Sequence, residues 1–205
     1  MNTKWMDAGK KVALIIGMIT ISNQLVSMGE KVEEVKTMEK TPVVEAQVEK
    51  ASVELTESTI YRSDIPLPKE QQEFLHERTV ELGLDYDKTL AIIKHESKFD
   101  ANAIGVTNDY GLFQINPNNH EWLAYATKTK NDPLDPFVNI IWGTFMLDDL
   151  YDKWSDEGIN GQELDEYVWS SYNKGVGGFN RTGKATDYIK KVRVAIAEVK
   201  IHDEG

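Results

Sequence analysis

Glu96 is the residue whose position most invites chemistry. It follows Ile92 and Ile93 by four and three residues, so on a helix it shares the apolar face that packs into the domain. A loop rich in breakers follows at Asn102, Gly105, Asn108 and Gly111, which puts Glu96 at a helix C-terminus, where the macrodipole disfavours negative charge. Burial and dipole both raise a carboxyl pKa, and a carboxyl that keeps its proton near neutral pH is what a general acid needs. The same pattern also fits a frayed helix end with Glu96 in solvent. Other chemistry is poorly supported. His76, His95, His120 and His202 lack metal-ligand spacing, and His95-Glu96 has no second histidine three residues on. Asp148, Asp149 and Asp152 lack the glycine and glutamate of a calcium loop and read as a solvated helix face, as do Lys190, Lys191 and Arg193. No metal and no cofactor is expected.

The elements that must hold Glu96 are mainly helical, since strict two-residue alternation is almost absent. Phe74, Leu75, Val80 and Leu82 give an amphipathic helix over 69–82, stopped by Gly83. Asp85 caps a second helix from Tyr86, whose apolar residues lead into Glu96. Asp135-Pro136 starts a strongly apolar helix from Phe137 to about Trp154, the expected core helix. Leu164, Val168 and Tyr172 share a face of the next, which is expected to end at Gly175, Gly177 and Gly178, and Tyr188, Val192, Ala195, Ile196 and Val199 mark the last. Residues 109–115 are the best place for a short strand or hairpin.

Three segments together carry a family resemblance. Glu96-Ser97-Lys98-Phe99-Asp100, then Gly111-Leu112-Phe113-Gln114-Ile115-Asn116, then Ser171-Tyr172-Asn173-Lys174-Gly175 resemble the Glu-Ser, Gly-Leu-Met-Gln and Ala-Tyr-Asn-x-Gly motifs of the soluble lytic transglycosylase (SLT) domain of the lysozyme-like superfamily. Asn139-Ile140 with Gly143, and Tyr188 to Val192, resemble two further elements in the expected order, over about residues 70–200. Phe113 stands for the usual Met and Ser171 for the usual Ala. The resemblance implies a lysozyme-like, goose-type helical domain with a short hairpin or loop near its active site. It implies cleavage of the β-1,4 bond between N-acetylmuramic acid and N-acetylglucosamine in peptidoglycan, with Glu96 as acid and then base and 1,6-anhydro ends as product. It places Ser97, Tyr110, Gln114, Tyr172, Asn173 and Tyr188 along the glycan.

Asp109 keeps a second reading open. Asp109-Tyr110-Gly111 with the residues up to Asn116 also resembles the animal-type lysozyme segment that carries a second carboxylate, and two carboxylates flanking the bond point to a hydrolytic muramidase. Alternatively, Asp109 forms an Asx turn with Tyr110 and Gly111. Tyr110, Trp122, Tyr125, Trp169 and Phe179 are of the type that stacks on sugars, although aromatics in a helical domain are more often core.

Composition bounds the rest. The 205 residues are 40% hydrophobic and carry a formal charge of −11, which argues against nucleic-acid binding, and zero cysteine excludes disulfides, thiolate metal sites and a lipidated-cysteine anchor. Lys4, Lys10 and Lys11 precede an apolar run at residues 12–21, so residues 1–29 read as a signal peptide or membrane anchor and imply action outside the cytoplasm, facing the wall. Residues 30–65 read as a disordered stalk, and 66–205 as the catalytic domain. Positions 63–205 hold 15 basic and 25 acidic residues, so about −10 of the charge belongs to that domain. The expected partner is the peptidoglycan strand, with membrane contact only through the N-terminal segment. A reading from another class is a non-catalytic wall-binding or assembly factor beside envelope machinery.

Overall fold

The computed structural model describes residues 61–200, so the signal and most of the stalk expected from the sequence lie outside the described residues. Six helices follow in order: α1 Lys69–Leu82, α2 Tyr86–Ser97, α3 His120–Thr127, α4 Pro136–Asp156, α5 Gly161–Thr182 and α6 Thr186–Lys200, with a 3-10 turn at Pro117–Asn119. None of them is long and apolar enough to cross a membrane. Their ends follow the local chemistry. Gly83 takes a left-handed φ of 66° and closes α1, Asp85 accepts from the Lys88 N–H to open α2, and Asp135 accepts from the Phe137 and Val138 N–H groups to open α4 behind Pro136.

The core runs along α4, which packs against α1, α3 and α5 and buries Ile140, Trp142, Leu147 and Trp154. α2 buries Leu90, Ala91, Ile92 and Ile93 in succession, because it lies chiefly against α6 while α1 covers another side. Two expectations need correction. Val80 is 67% exposed, since the buried stripe of α1 runs through Gln72, Leu75 and Thr79. The helix before the glycine cluster does not end there: it breaks at Gly175, the one residue with non-helical φ and ψ (69° and 153°), and resumes to Thr182. Ser171, at the position of the usual alanine, accepts a hydrogen bond from Trp154 Nε1 at 3.0 Å and ties α5 to α4.

Packing begins before Pro66. Ile65 and Leu67 are buried, and the fully buried Gln72 holds the strap that carries them, donating to the Leu67 carbonyl at 2.8 Å and the Arg62 carbonyl at 3.0 Å while accepting from the Arg62 N–H at 2.9 Å. Arg62 continues to Asp87 at 3.2 Å and to the carbonyl of Val199. A buried amide with its donors and acceptor satisfied fixes such a strap firmly.

Residues 98–116 join α2 to the 3-10 turn without forming a strand; two isolated antiparallel bridges, Ile104 with Tyr110 and Tyr110 with Ile115, make a compact looped hairpin. The loop is seated on α4 by two contacts. Asn139 accepts from the Phe113 N–H at 2.8 Å and donates to the carbonyls of Tyr110 at 3.0 Å and Pro133 at 2.9 Å. Phe113 lies flat over Gly143, where an added Cβ would fall 2.1 Å from the ring. Gly111 is required at the same place twice over, by its φ of 73° and by Asn139 and Pro133, which leave no room for a Cβ. Gly143→Ala should therefore destabilise the domain by about 1–3 kcal/mol through overpacking, read from the midpoint of chemical unfolding. An unchanged midpoint would mean that Phe113 swings aside freely and does not seat the loop.

Candidate active site

Glu96 occupies the last turn of α2, where Lys98 takes the left-handed C-cap conformation. The hydroxyl of Tyr188, from α6, donates to Glu96 Oε1 at 2.5 Å. Burial pushes the Glu96 carboxyl up from 4.5 to about 7; the Tyr188 hydrogen bond pulls it down, and the charge of Asp109 adds to the rise. The chain leaves the helix in a strained turn, with Lys98 at φ 55° and Phe99 at φ 68°. Two successive left-handed residues with side chains cost roughly 1–2 kcal/mol each. The buried Phe99 ring offsets part of this by joining the core, and the turn directs the loop back across the end of α2.

Tyr172 enters from α5. Its hydroxyl donates to the Phe113 carbonyl at 2.7 Å, tying α5 to the loop that Asn139 already holds to α4. Burial, with the charges of Glu96 and Asp109 behind it, raises the Tyr172 pKa well above its ordinary value; Tyr188 is raised likewise, by burial first and then by Glu96. Both phenols are therefore hydrogen-bond donors that keep their protons. The charges felt by these groups put Glu96, Asp109, Tyr172 and Tyr188 in one electrostatic neighbourhood.

The Asx turn expected at Asp109 does not form. The N–H groups of Tyr110 and Gly111 go instead to the carbonyls of Ile115 at 3.0 Å and Ala103 at 2.9 Å. The Asp109 carboxylate accepts from Asn116 Nδ2 at 2.7 Å and from the Thr107 hydroxyl, which fixes it across the hairpin. Gln114, at φ 47°, spends its amide inside the loop, donating to Gly111 at 2.9 Å and Ala103 at 3.2 Å. Ser97 is buried and donates to the Ile93 carbonyl of its own helix at 3.1 Å. Tyr110 is half-buried, its ring edge-on to His120 at 5.4 Å, and Asn173 is exposed beside Tyr172. Among the remaining aromatics, Trp169 and Phe179 are core, Trp122 packs on Phe145, and Tyr125 is 85% exposed.

The structure thus gathers Glu96, Asp109, Tyr172 and Tyr188, and leaves Ser97 and Gln114 bonded within their own segments. The roles of Thr107 and Asn116 in orienting Asp109, and of Asn139 in clamping the loop, were not legible in the sequence; their bonds span from two to 29 positions and follow no helical or strand period. A carboxyl near half-protonation at neutral pH, with no cation among the groups that act on it, can give a proton to a leaving oxygen and take one back. The family model of the transglycosylase SLT domain matches residues 74–193, a span that contains all four gathered residues.

Because Glu96 binds its proton more tightly folded than unfolded, it contributes no penalty below about pH 4.5, where both states are protonated. As pH rises from about 4.5 to about 7, the unfolded chain releases the proton first and the native state loses about 3 kcal/mol of stability. Glu96→Gln removes that dependence. The variant should match wild type near pH 4 and exceed it by up to about 3 kcal/mol at pH 8 in urea unfolding. A gap of the same size at both pH values would contradict the buried-carboxyl reading.

Proposed function

The chain belongs to the transglycosylase SLT domain family, and from that premise we propose that it is a lytic transglycosylase of peptidoglycan with Glu96 as its single acid–base group. Glu96 protonates the glycosidic oxygen between N-acetylmuramic acid and N-acetylglucosamine, and the C1–O bond breaks. The carboxylate so formed takes the proton of the muramic C6 hydroxyl, whose oxygen bonds to C1. The product is a 1,6-anhydro end, and no water is consumed. The observation that carries this reading is the carboxyl raised to about 7, because one group that acts first as acid and then as base works best with a pKa near the working pH. Tyr188 holds the carboxyl in place, and Tyr172 fixes the loop that forms the other side of the site. The basic and apolar segment at residues 1–29 supplies the export such a substrate requires.

A hydrolytic muramidase is the second reading, favoured by one observation: Asp109 is oriented by two side-chain donors and its charge reaches Glu96. In that reaction Asp109 would serve the water or the sugar cation, and the product would be a reducing muramic end.

Mass spectrometry of purified peptidoglycan digests separates the two. The proposal expects anhydro ends from wild type, at least about a hundredfold less cleavage from Glu96→Gln, and anhydro ends still from Asp109→Asn. Reducing ends from wild type that vanish in Asp109→Asn would establish the muramidase instead. Full wall cleavage by Glu96→Gln would exclude both.

A further inference from the structure

A cleft of about 620 Å³ opens beside the candidate active site, between the strap at residues 64–66, the end of α2 and one face of α6, and Glu96 is not among the residues lining it. Its floor is apolar, made by Ile65, Phe99, Ala195 and Val199, all buried. Its rim is cationic. Lys94, Lys98, Lys190 and Lys191 line it with His95, against two carboxylates, Asp64 and Glu198. Both acids already face cations: Glu198 lies 3.0 Å from Lys94, and Asp64 lies 3.9 Å from Arg62. Lys190 reaches Asp187 only at 3.8 Å, with both side chains largely in solvent, and Lys98 and Lys191 make no ion pair among the described residues. Lys191 is one of the two causes, after burial, that hold the His95 pKa below its ordinary value. On a domain whose net charge is about −10, this is a local reversal of sign.

The cleft is close to Glu96 without being part of its site. His95 lines the cleft and meets the Tyr188 ring edge-on at 5.0 Å, and Tyr188 bonds Glu96, so one aromatic pair separates the two. Lys94 on α2 and Lys98 at its left-handed C-cap both line the cleft; around the helix His95 lies about 100° on from Lys94, and Glu96 a further 100°. A ligand that engages both must turn about one helix width, roughly 10–12 Å.

We propose that this cleft takes the carboxylate-bearing stem peptide of a peptidoglycan strand whose sugar backbone lies at Glu96, with Lys98 and Lys191 as the principal charge contacts. The inference rests on the glycan reading above. Four extended residues reach about 13 Å, enough to pass from the groove around the end of α2. An anionic polymer without side chains would match the rim but leave the apolar floor uncovered; a peptide with small aliphatic side chains and free carboxylates matches both.

The test compares wild type with the double variant Lys98→Gln, Lys191→Gln, each as the full chain, on intact strands and on the same strands stripped of peptide by an amidase. The expected result is a KM for intact strands raised about three- to tenfold in the variant with kcat retained, an effect that shrinks in high salt, and no difference between the proteins on stripped strands. Equal KM values on intact strands, or equal losses on both substrates, would overturn the proposal. If wild type cuts neither substrate, the glycan reading itself fails and takes the cleft assignment with it, an outcome distinct from cutting both without preference.

Discussion

A carboxyl group largely, though not wholly, shielded from water, with a phenol for a partner and the charge of a second carboxylate acting on it, is the constraint around which this domain is organised. No cation acts on Glu96: burial and the Asp109 charge raise its pKa, and the hydrogen bond from the neutral Tyr188 phenol only partly offsets burial. The helix end adds its own negative pole. Placing lysine or arginine beside the group would have been cheaper in stability and would have left a carboxylate unable to donate a proton. The domain carries instead a standing cost above about pH 5, which the packed core along α4 must cover.

That cost is useful only if the surroundings do not yield. Three separate elements converge on the site: α2 brings Glu96, α6 brings Tyr188, and α5 brings Tyr172. The fourth side is a loop, which would be the weakest wall, and here the fold spends its buried polar groups. From the first turn of the core helix Asn139 satisfies one loop N–H, one loop carbonyl and the carbonyl of Pro133, Tyr172 takes a further loop carbonyl, and Gln114 braces the loop against itself. Phe113 over Gly143 adds a contact that tolerates no extra methyl group. A loop so fixed can hold Asp109 at a constant position relative to Glu96, which matters whether its charge acts on the proton affinity of Glu96 or on the substrate.

Much of this was readable in the chain because it is local. Asp85, Asp135-Pro136 and Gly83 end helices through bonds spanning a few residues, and the spacing of Ile92, Ile93 and Glu96 placed a carboxyl on an inward face. What escaped reading is held by distance in sequence. Gln72 is polar yet fully buried because the strap it satisfies arrives from ten residues away, and Val80 is apolar yet exposed because it lies off the buried stripe of α1 formed by Gln72, Leu75 and Thr79. The Tyr188 bond to Glu96 spans 92 residues, so only the family motifs brought the two together before the coordinates did. Glycine misled in one place: at 175 it breaks the helix, while at 177 and 178 the chain simply continues to Thr182.

The central claim is that Glu96 holds its proton to neutral pH in the resting protein. Carbon-13 labelling of glutamate carboxyls, with the Glu96 resonance assigned by its absence from Glu96→Gln, allows its titration to be followed directly by NMR. The account predicts a midpoint of about 7 for that resonance. A midpoint near the ordinary 4.5 would contradict it.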